Sequence, residues 1–125
     1  MGENRIKLVA ADMDGTLLNR ERKITKYTQN VIKKAMAQGV YFVPATGRAV
    51  NALPPELKEM EGIRYGIFSN GATIYDLKEE KVIYKNHFEM DRVLELMDFL
   101  KQFDLMESIS SVSYTHLTLP TNSRV

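Results

Sequence analysis

Three short apolar runs, each ending in polar residues, constrain the fold of this chain most strongly. The runs have strand character and cover Arg5–Ala11, Val40–Ala45 and Tyr65–Phe68. The segments between them carry apolar residues at helical spacing. This alternation of strand and helix predicts an α/β fold built on a doubly wound, parallel, Rossmann-like sheet. The continuous apolar character of the first run predicts a strand that is buried on both faces.

Local signals predict the first helix and a short second one. Thr25 is a suitable N-cap, and Gly39 is a suitable terminator for the helix between them. The predicted buried face of that helix consists of Tyr27, Val31, Ile32, Ala35 and Met36. The pair Pro54-Pro55 predicts a turn that leads into a short helix through Leu57 and Met60.

The last third of the patterned sequence predicts a hairpin and one more helix. Thr73–Tyr75 and Val82–Tyr84 flank the polar turn Asp76–Glu80, which is typical of a β-hairpin. Asp91–Phe103 reads as an amphipathic helix. Its predicted apolar face consists of Val93, Leu96, Met97, Leu100 and Phe103.

Composition excludes several classes of site. The chain has 125 residues, 44% apolar and 26% charged, which fits one modest globular domain or one domain with part of another. A net charge of +1 gives no argument for nucleic acid or an anionic membrane as partner. There is no cysteine and there are only two histidines, so thiolate and multi-histidine metal sites are excluded. Without an apolar leader or membrane-spanning segment, we expect a soluble, cytoplasmic protein.

Polar residues follow each of the three apolar runs. Ligands of open α/β sheets bind beyond the carboxyl ends of the strands, so these residues are expected to meet at one edge. The three clusters are Asp12 with Asp14, Thr46 with Arg48, and Ser69 with Asn70. Their agreement is stronger evidence for a site than any one cluster.

Asp12 and Asp14 carry the strongest chemical signal. In extended geometry, carboxylates at i and i+2 project to the same side, where two like charges call for a cation between them. A hard divalent cation such as Mg²⁺ fits, and phosphate is the usual substrate group at such a site. One carboxylate would attack phosphorus while the other transfers a proton. The non-functional alternative is a solvated Asp-Gly turn. A calcium loop is disfavoured because Ala10 would occupy its first ligand position.

The second and third clusters offer groups that bind phosphate. Thr46 supplies a hydroxyl, Gly47 a backbone N–H, and Arg48 a charge-assisted contact. The alternative is a helix N-cap followed by a surface arginine. Asn70 is a candidate for direct substrate contact, with a plain turn before the hairpin as its alternative.

Together these motifs resemble the haloacid dehalogenase-like hydrolases. Asp12–Leu18, Thr46–Arg48 and Ser69–Ala72 match in order and spacing, and the resemblance extends over about residues 4 to 109. The most similar branch is the Cof-type (subfamily IIB) phosphatases, which carry an inserted α/β cap. The resemblance implies that Asp12 is the nucleophile, forms an aspartyl-phosphate and ligates Mg²⁺. It further implies that Asp14 is the general acid/base with its backbone carbonyl on the metal, and that Thr46 holds the transferring phosphoryl group.

The family also uses a lysine and an acidic pair that follow the cap, and neither can be placed in this sequence. We therefore expect an N-terminal fragment, with a partial hydrolase core over 1–86, the start of the cap over 87–110, and a non-native or disordered tail over 111–125. In the family the first strand is central, so truncation is expected to leave Leu8–Ala11 as an exposed apolar edge. We expect such a fragment to be poorly soluble and nearly inactive alone.

The function that the resemblance implies is Mg²⁺-dependent hydrolysis of small phosphomonoesters, such as sugar or nucleotide phosphates. The partner would be a small phosphorylated metabolite, and the oligomeric state stays open. A phosphomutase with the same aspartyl intermediate is one alternative. A non-catalytic phosphate-binding module is the other.

Overall fold

A computed structural model describes residues 4–103 of the chain. Its strands are β1 Leu8–Asp12, β2 Tyr41–Ala45, β3 Tyr65–Phe68, β4 Thr73–Asp76 and β5 Lys81–Lys85. Its α-helices are α1 Lys26–Ala37, α2 Pro55–Lys58 and α3 Met90–Leu100. A single helical turn occupies Val50–Ala52, while Met13–Leu17 and Ser69–Gly71 are tight turns with non-helical residues inside them. The predicted order of strands and helices is therefore confirmed, as is the hairpin.

The five strands form one mixed sheet in the order β1-β2-β3-β4-β5. The first three are parallel, as the alternation with helices predicts, and the hairpin adds β4 and β5 in antiparallel orientation. The predicted α/β class is confirmed. The carboxyl ends of β1, β2 and β3 consequently lie at the same edge of the sheet.

Helix α1 begins and ends at the residues that the sequence predicts. The Thr25 hydroxyl oxygen accepts a hydrogen bond from the Thr28 N–H at 3.2 Å, which satisfies one of the free amides of the first turn. At the other end, Gly39 adopts φ +86°. Its N–H bonds to the carbonyl of Met36, and the Val40 N–H bonds to that of Ala35. This pair of bonds is a Schellman motif, which explains why a glycine ends the helix.

The predicted buried face of α1 is only partly correct. Ile32 is buried, but Tyr27 and Val31 are 79% and 49% exposed. The buried stripe is centred on Ile32 and includes Thr28 and Gln29, which precede it by four and three residues. Tyr27 and Val31 lie about 100–140° around the helix from Ile32, so both fall outside the buried stripe.

The hydrophobic core of the described chain lies against one face of the sheet. Residues from the turns that follow the strands contribute to it. Phe42 and Phe68 are buried in it from β2 and β3. Met13, immediately after β1, is fully buried. The remaining buried members are Leu18, Ile24, Ile32, Leu53, Leu57, Met60 and Ile63.

The prediction that the first strand is buried is wrong for the described residues. Leu8 and Val9 are 54% and 39% exposed, although they alternate between the two faces of the sheet. Within residues 4–103, β1 pairs only with β2, so it is an edge strand. Truncation is expected from the sequence to leave Leu8–Ala11 as an exposed apolar edge, and these residues lie on the edge strand of the described sheet.

The chain divides into two compact units at the bond between Lys85 and Asn86. In the second unit, Met97 of α3 is buried, with Val93 and Leu100 partly buried beside it. Leu96 and Phe103 are 46% and 49% exposed, so the apolar face predicted for this helix is too wide. The assignment of 87–110 to a cap stays a prediction, and the predicted tail, 111–125, lies outside the described residues. Within residues 4–103, no helix is long and apolar enough to cross a lipid bilayer.

Candidate active site

The register of the parallel strands brings the three polar clusters together. Asp12, the last residue of β1, pairs with Ala45, the last residue of β2. Ala45 in turn pairs with Ile67 of β3. The residues that follow these positions therefore leave the sheet at one level. The predicted convergence of the clusters is a direct consequence of this register.

A tight turn, non-helical at Asp14 and Gly15, carries Asp14 away from the end of β1. The Leu18 N–H closes the turn on the carbonyl of Met13 at 2.9 Å, and both of these side chains are buried. Gly15 adopts φ +77°, a backbone conformation that favours glycine. Buried anchors on either side thus hold a loop whose two carboxylates, Asp12 and Asp14, are exposed to solvent.

Asp14 forms a two-pronged ion pair with Arg48. The Arg48 Nη2 lies 2.5 Å from Asp14 Oδ1, and the Arg48 Nε lies 3.1 Å from Oδ2. The two side chains are 32% and 53% exposed. A guanidinium that meets both oxygens of a carboxylate fixes its orientation as well as its charge. The pair connects the cluster after β1 to the cluster after β2.

Asp12 differs from Asp14 in its surroundings. Among residues 4–103, no cationic side chain forms an ion pair with the exposed Asp12 carboxylate. Both acids of the motif are exposed, but of the two only Asp14 is ion-paired with an arginine within residues 4–103. A free carboxylate is the form that can attack an electrophile or bind a cation.

The Thr46 side chain is buried, and its hydroxyl forms one of the hydrogen bonds open to it. Its Oγ1 accepts a hydrogen bond from the Arg48 N–H at 3.0 Å, while its own N–H bonds to the carbonyl of Ile67 at 3.0 Å. A hydroxyl carries one hydrogen in addition to its acceptor lone pairs. Since the oxygen acts as acceptor toward Arg48, the hydroxyl hydrogen remains available to donate to a ligand.

The Ser69–Gly71 turn packs against the loop after β2. The Ser69 N–H bonds to the carbonyl of Arg48 at 3.0 Å, and the Asn70 N–H bonds to the carbonyl of Thr46 at 3.1 Å. A Cβ added at Gly47 would lie 2.8 Å from Asn70 Oδ1, so the Asn70 side chain lies directly over this glycine. All the predicted site residues after β2 and β3 are thus in one neighbourhood.

Sequence reasoning missed the Arg48–Asp14 pair, because it assigned Arg48 to phosphate or to the surface. The available signal was an acidic and a basic residue, each placed just after the end of a neighbouring parallel strand. It also missed a second ion pair, between Arg64 and Asp76, with Arg64 Nη2 3.1 Å from Asp76 Oδ2.

Asp76 is almost fully buried and is a structural residue of the hairpin turn. The backbone N–H groups of Glu79 and Lys78 each donate to its Oδ1 at 3.0 Å. The bond from Glu79, together with the Arg64 guanidinium, lowers the pKa of this carboxyl, against the opposing effect of burial. The same pairing raises the pKa of Arg64. This cluster stabilises the turn between β4 and β5 and does not belong to the candidate site.

Asp12 and Asp14 are the acidic groups that the described chain offers to a cation at this edge. Within residues 4–103, no group of three or more His, Cys, Asp or Glu side chains could enclose a metal ion. An all-protein cage of the kind that Ca²⁺ or Zn²⁺ occupies is therefore absent from this part of the chain. Mg²⁺ has a different requirement, since it binds through one or two carboxylates and keeps waters or phosphate oxygens as its other ligands.

Comparison with known proteins agrees with the fold and shows the family. A family model described as haloacid dehalogenase-like hydrolase matches residues 9–123. A relative from Buchnera aphidicola subsp. Baizongia pistaciae is 43% identical over 90 residues, which are 72% of this chain and 33% of the relative. The 5-amino-6-(5-phospho-D-ribitylamino)uracil phosphatase YcsE of Bacillus subtilis is 37% identical over 89 residues, 68% of this chain and 36% of that protein.

Solved structures give the same result. A haloacid dehalogenase-like hydrolase from B. subtilis superposes with a TM-score of 0.66 at 30% identity, covering 78% of this chain and 34% of that one. The subclass IIB sugar phosphatase BT4131 superposes with a TM-score of 0.63 at 33% identity, covering 77% and 37%.

An α/β sheet whose first strand ends in an accessible acid, with a threonine and an asparagine at the ends of its neighbours, defines the class of fold and site. The chain belongs to the haloacid dehalogenase-like hydrolase family. The family predicted from the three motifs is therefore confirmed, and the subclass IIB likeness agrees with the predicted Cof-type branch. The chain spans about a third of the length of the curated relatives it matches.

Proposed function

We propose that the protein containing this chain is a Mg²⁺-dependent phosphatase that hydrolyses small phosphomonoesters through a phosphorylated Asp12. The observation that carries the proposal is the Asp12–Ala45–Ile67 register, which gathers the three family motifs at one edge of the sheet. Phosphoryl transfer depends mainly on positioning and on stabilisation of charge. A rigid sheet edge provides the positioning.

Asp12 is the nucleophile in this proposal. A carboxylate oxygen of Asp12 forms a bond to phosphorus while the bond from phosphorus to the substrate oxygen breaks. Water then attacks the same phosphorus and the bond to Asp12 breaks, which regenerates the carboxylate and releases phosphate. The exposure of Asp12, and the lack of an ion pair to it within residues 4–103, support this role.

Asp14 is the general acid and base. Protonated at one carboxyl oxygen when the substrate is bound, it gives that proton to the departing substrate oxygen and later takes one from the attacking water. The ion pair with Arg48 holds its carboxylate in one orientation before the substrate arrives. Such fixed orientation lowers the entropic cost of the proton transfer.

Thr46 and Gly47 hold the transferring phosphoryl group in this account. The Thr46 hydroxyl has its hydrogen available, and Gly47 has no side chain of its own to cover its backbone. Asn70 lies over Gly47, where the sequence predicts a substrate contact. Donors of this kind bind phosphate oxygens best where water is partly excluded, and Thr46 is buried.

Asp12 through its carboxylate and Asp14 through its backbone carbonyl would hold Mg²⁺ together with phosphate oxygens and water, which suits the preference of this ion for few protein ligands. When bound, Mg²⁺ neutralises charge on the phosphoryl group and orients it toward the attacking oxygen. The family's downstream lysine and acidic pair would add to this charge balance in a longer chain.

The proposed substrate class follows from the relatives and not from residues 4–103. Two of the relatives are a 5-amino-6-(5-phospho-D-ribitylamino)uracil phosphatase and a subclass IIB sugar phosphatase, whose substrates are small phosphorylated metabolites. We propose that residues 87–110 begin the cap that selects among such substrates. The cytoplasmic location expected from the sequence stays a prediction.

Trapping with beryllofluoride tests the proposal. A Mg²⁺-dependent adduct on Asp12, detected by ¹⁹F NMR, is expected in a full-length phosphatase that carries this sequence, and it should be lost in Asp12→Asn. The matched control is Asp98→Asn, an exposed acid of α3 that should leave the adduct intact. Absence of the adduct would instead favour a non-catalytic phosphate-binding module.

A parallel assay with p-nitrophenyl phosphate and Mg²⁺ separates the remaining alternatives. Release of inorganic phosphate supports a phosphatase. With a sugar phosphate added as acceptor, transfer of the phosphoryl group to it, with little release to water, would identify a phosphomutase. Full turnover by the 125-residue chain alone would refute the expectation that downstream residues are required.

A further inference from the structure

We propose that the Ser69–Gly71 turn is a positioning element for the phosphate-binding loop, and that Asn70 acts through its backbone and not as a ligand of the substrate. The inference rests on the proposed function for the identity of that loop. It revises the role that the sequence predicts for Asn70, and it assigns a cause to the unusual backbone of this turn.

Two backbone hydrogen bonds attach the turn to the loop. The Ser69 N–H donates to the Arg48 carbonyl at 3.0 Å, and the Asn70 N–H donates to the Thr46 carbonyl at 3.1 Å. They bracket Gly47 from both sides. The loop after β2 is therefore fixed by consecutive amides of the segment that follows β3, in addition to its own sheet bond from the Thr46 N–H.

The attachment extends to the acidic pair. The Arg48 N–H donates to Thr46 Oγ1 at 3.0 Å, which sets the direction of the hydroxyl. The Arg48 side chain then holds Asp14 through both of its carboxylate oxygens. A displacement of the Ser69–Gly71 turn would consequently move the Thr46 hydroxyl and the guanidinium that orients Asp14.

The Ser69–Gly71 turn makes these contacts with three consecutive residues of left-handed backbone. Ser69, Asn70 and Gly71 have φ values of 51°, 55° and 93°. Asparagine tolerates this region better than other residues with a Cβ, whereas β-branched residues are strongly disfavoured there. The need for an amide at position 70 with positive φ explains an asparagine followed by glycine without any contact to a ligand.

The competing reading is that the Asn70 side chain binds the substrate. Its Oδ1 lies over Gly47, 2.8 Å from the place of a Cβ on that residue, so it is close enough to the loop to be tested separately. Two substitutions distinguish a backbone role of Asn70 from a side-chain role. Asn70→Gly removes the side chain and keeps positive φ, while Asn70→Val removes the side chain and disfavours positive φ.

The experiment measures inorganic phosphate binding by NMR titration of a full-length phosphatase that carries this sequence, with amide hydrogen exchange at Asn70 as the second readout. We expect Asn70→Gly to bind phosphate within about twofold of wild type and to keep the Asn70-position amide protected. We expect Asn70→Val to bind phosphate about tenfold more weakly and to lose that protection. Left-handed backbone costs valine a free energy equivalent to at least about a tenfold change in an equilibrium constant. Asn70→Ala, which is milder, replaces Asn70→Val if the latter does not fold.

The matched control is Glu80, which has φ 52° in the hairpin turn. Glu80→Gly and Glu80→Val repeat the same backbone change away from the site and should leave phosphate binding unchanged. Equal loss in Asn70→Gly and Asn70→Val would overturn the proposal in favour of a side-chain ligand. Wild-type binding in Asn70→Val would overturn it as well.

Failure of the proposed function has a different signature. If the wild-type chain binds no phosphate, the phosphate site itself is wrong, and the exchange data alone decide the positioning role. Protection of the amide at position 70 in wild type and Asn70→Gly, lost in Asn70→Val, would still support the turn as the element that fixes the loop. An unprotected amide in wild type would reject it.

Discussion

At the scale of single residues, the two acids of the first motif occupy different electrostatic environments. Asp14 is held by Arg48 through two hydrogen bonds, whereas Asp12 is exposed at the end of β1. Different surroundings are how two neighbouring carboxylates acquire different chemical roles. The division of labour proposed for Asp12 and Asp14 follows from this difference.

Replacing Arg48 with lysine should separate activity from stability. Lysine cannot contact both oxygens of Asp14, so we expect Arg48→Lys to reduce kcat of the full-length enzyme about tenfold to a hundredfold. The free energy of unfolding should fall by less than about 1 kcal/mol, because the pair is partly exposed. Steady-state kinetics and urea denaturation measure the two effects. Arg92→Lys, at an exposed ion pair in α3, should change neither, and equal losses in both variants would contradict the assignment.

Asp76 should make stability depend on pH. Its pKa is lowered in the folded state by the Glu79 amide and by Arg64, so its contribution is present above the ordinary aspartate pKa of about 4. That contribution is lost as pH falls through the lowered folded pKa. We expect Asp76→Asn to be less stable than wild type at pH 7, with the difference shrinking below about pH 4 in urea denaturation. The exposed Asp98→Asn should show no such convergence.

The motif residues could be identified from the sequence, but their partners could not. Asp12, Asp14 and Thr46 lie where the strand-end argument predicts. The Arg48–Asp14 pair depends on the register that sets Asp12 opposite Ala45, and a single sequence does not specify that register.

At the scale of elements, β2 shows how one residue shapes the site. The Tyr41 N–H bonds toward β1 and the Thr46 N–H bonds toward β3, so alternation directs the missing N–H of Pro44 toward β3. The pairing of β2 with β3 is accordingly short, with Ala45 opposite Ile67. This gap in the ladder lies just before Thr46, where the proposed phosphate-binding loop begins.

Helix α1 depends on its N-cap. We expect Thr25→Ala to lower the free energy of unfolding by about 1 kcal/mol, because the Thr28 N–H loses its acceptor. Thr25→Ser keeps a hydroxyl at the same place and should retain most of the stability. Thermal or urea denaturation of the three proteins measures this, and equal effects of alanine and serine would show that the hydroxyl does not cap the helix.

The ends of α1 were predictable because capping is local chemistry, read from Thr25 and Gly39. Its buried face was harder to predict, because Tyr27 and Val31 are apolar yet lie outside the stripe centred on Ile32. Which apolar residues are covered depends on what packs against the helix, and that is tertiary information.

At the scale of the whole molecule, β1 is the feature that departs most from its sequence pattern. Its apolar residues predict burial, yet Leu8 and Val9 are exposed on an edge strand of the described sheet. An unpaired apolar edge is a template for association with another chain. The sequence pattern of β1 describes a strand covered on both faces, which residues 4–103 do not provide.

We expect the 125-residue chain to self-associate through this edge. Val9→Lys should reduce association measured by sedimentation velocity, because a charge on an edge strand opposes strand pairing. Tyr27→Lys removes a more exposed apolar side chain from α1 and serves as the control. An equal reduction in both variants would point to general surface hydrophobicity instead of the β1 edge.

The central claim is that Asp12 attacks phosphorus, and its most direct test is the rate of p-nitrophenyl phosphate hydrolysis by Asp12→Asn. The measurement belongs in a full-length phosphatase that carries this sequence, with folding checked by circular dichroism. An amide cannot form the phosphorylated intermediate, so we predict loss of activity by at least about a thousandfold with the fold retained. Hydrolysis at the wild-type rate would contradict the account.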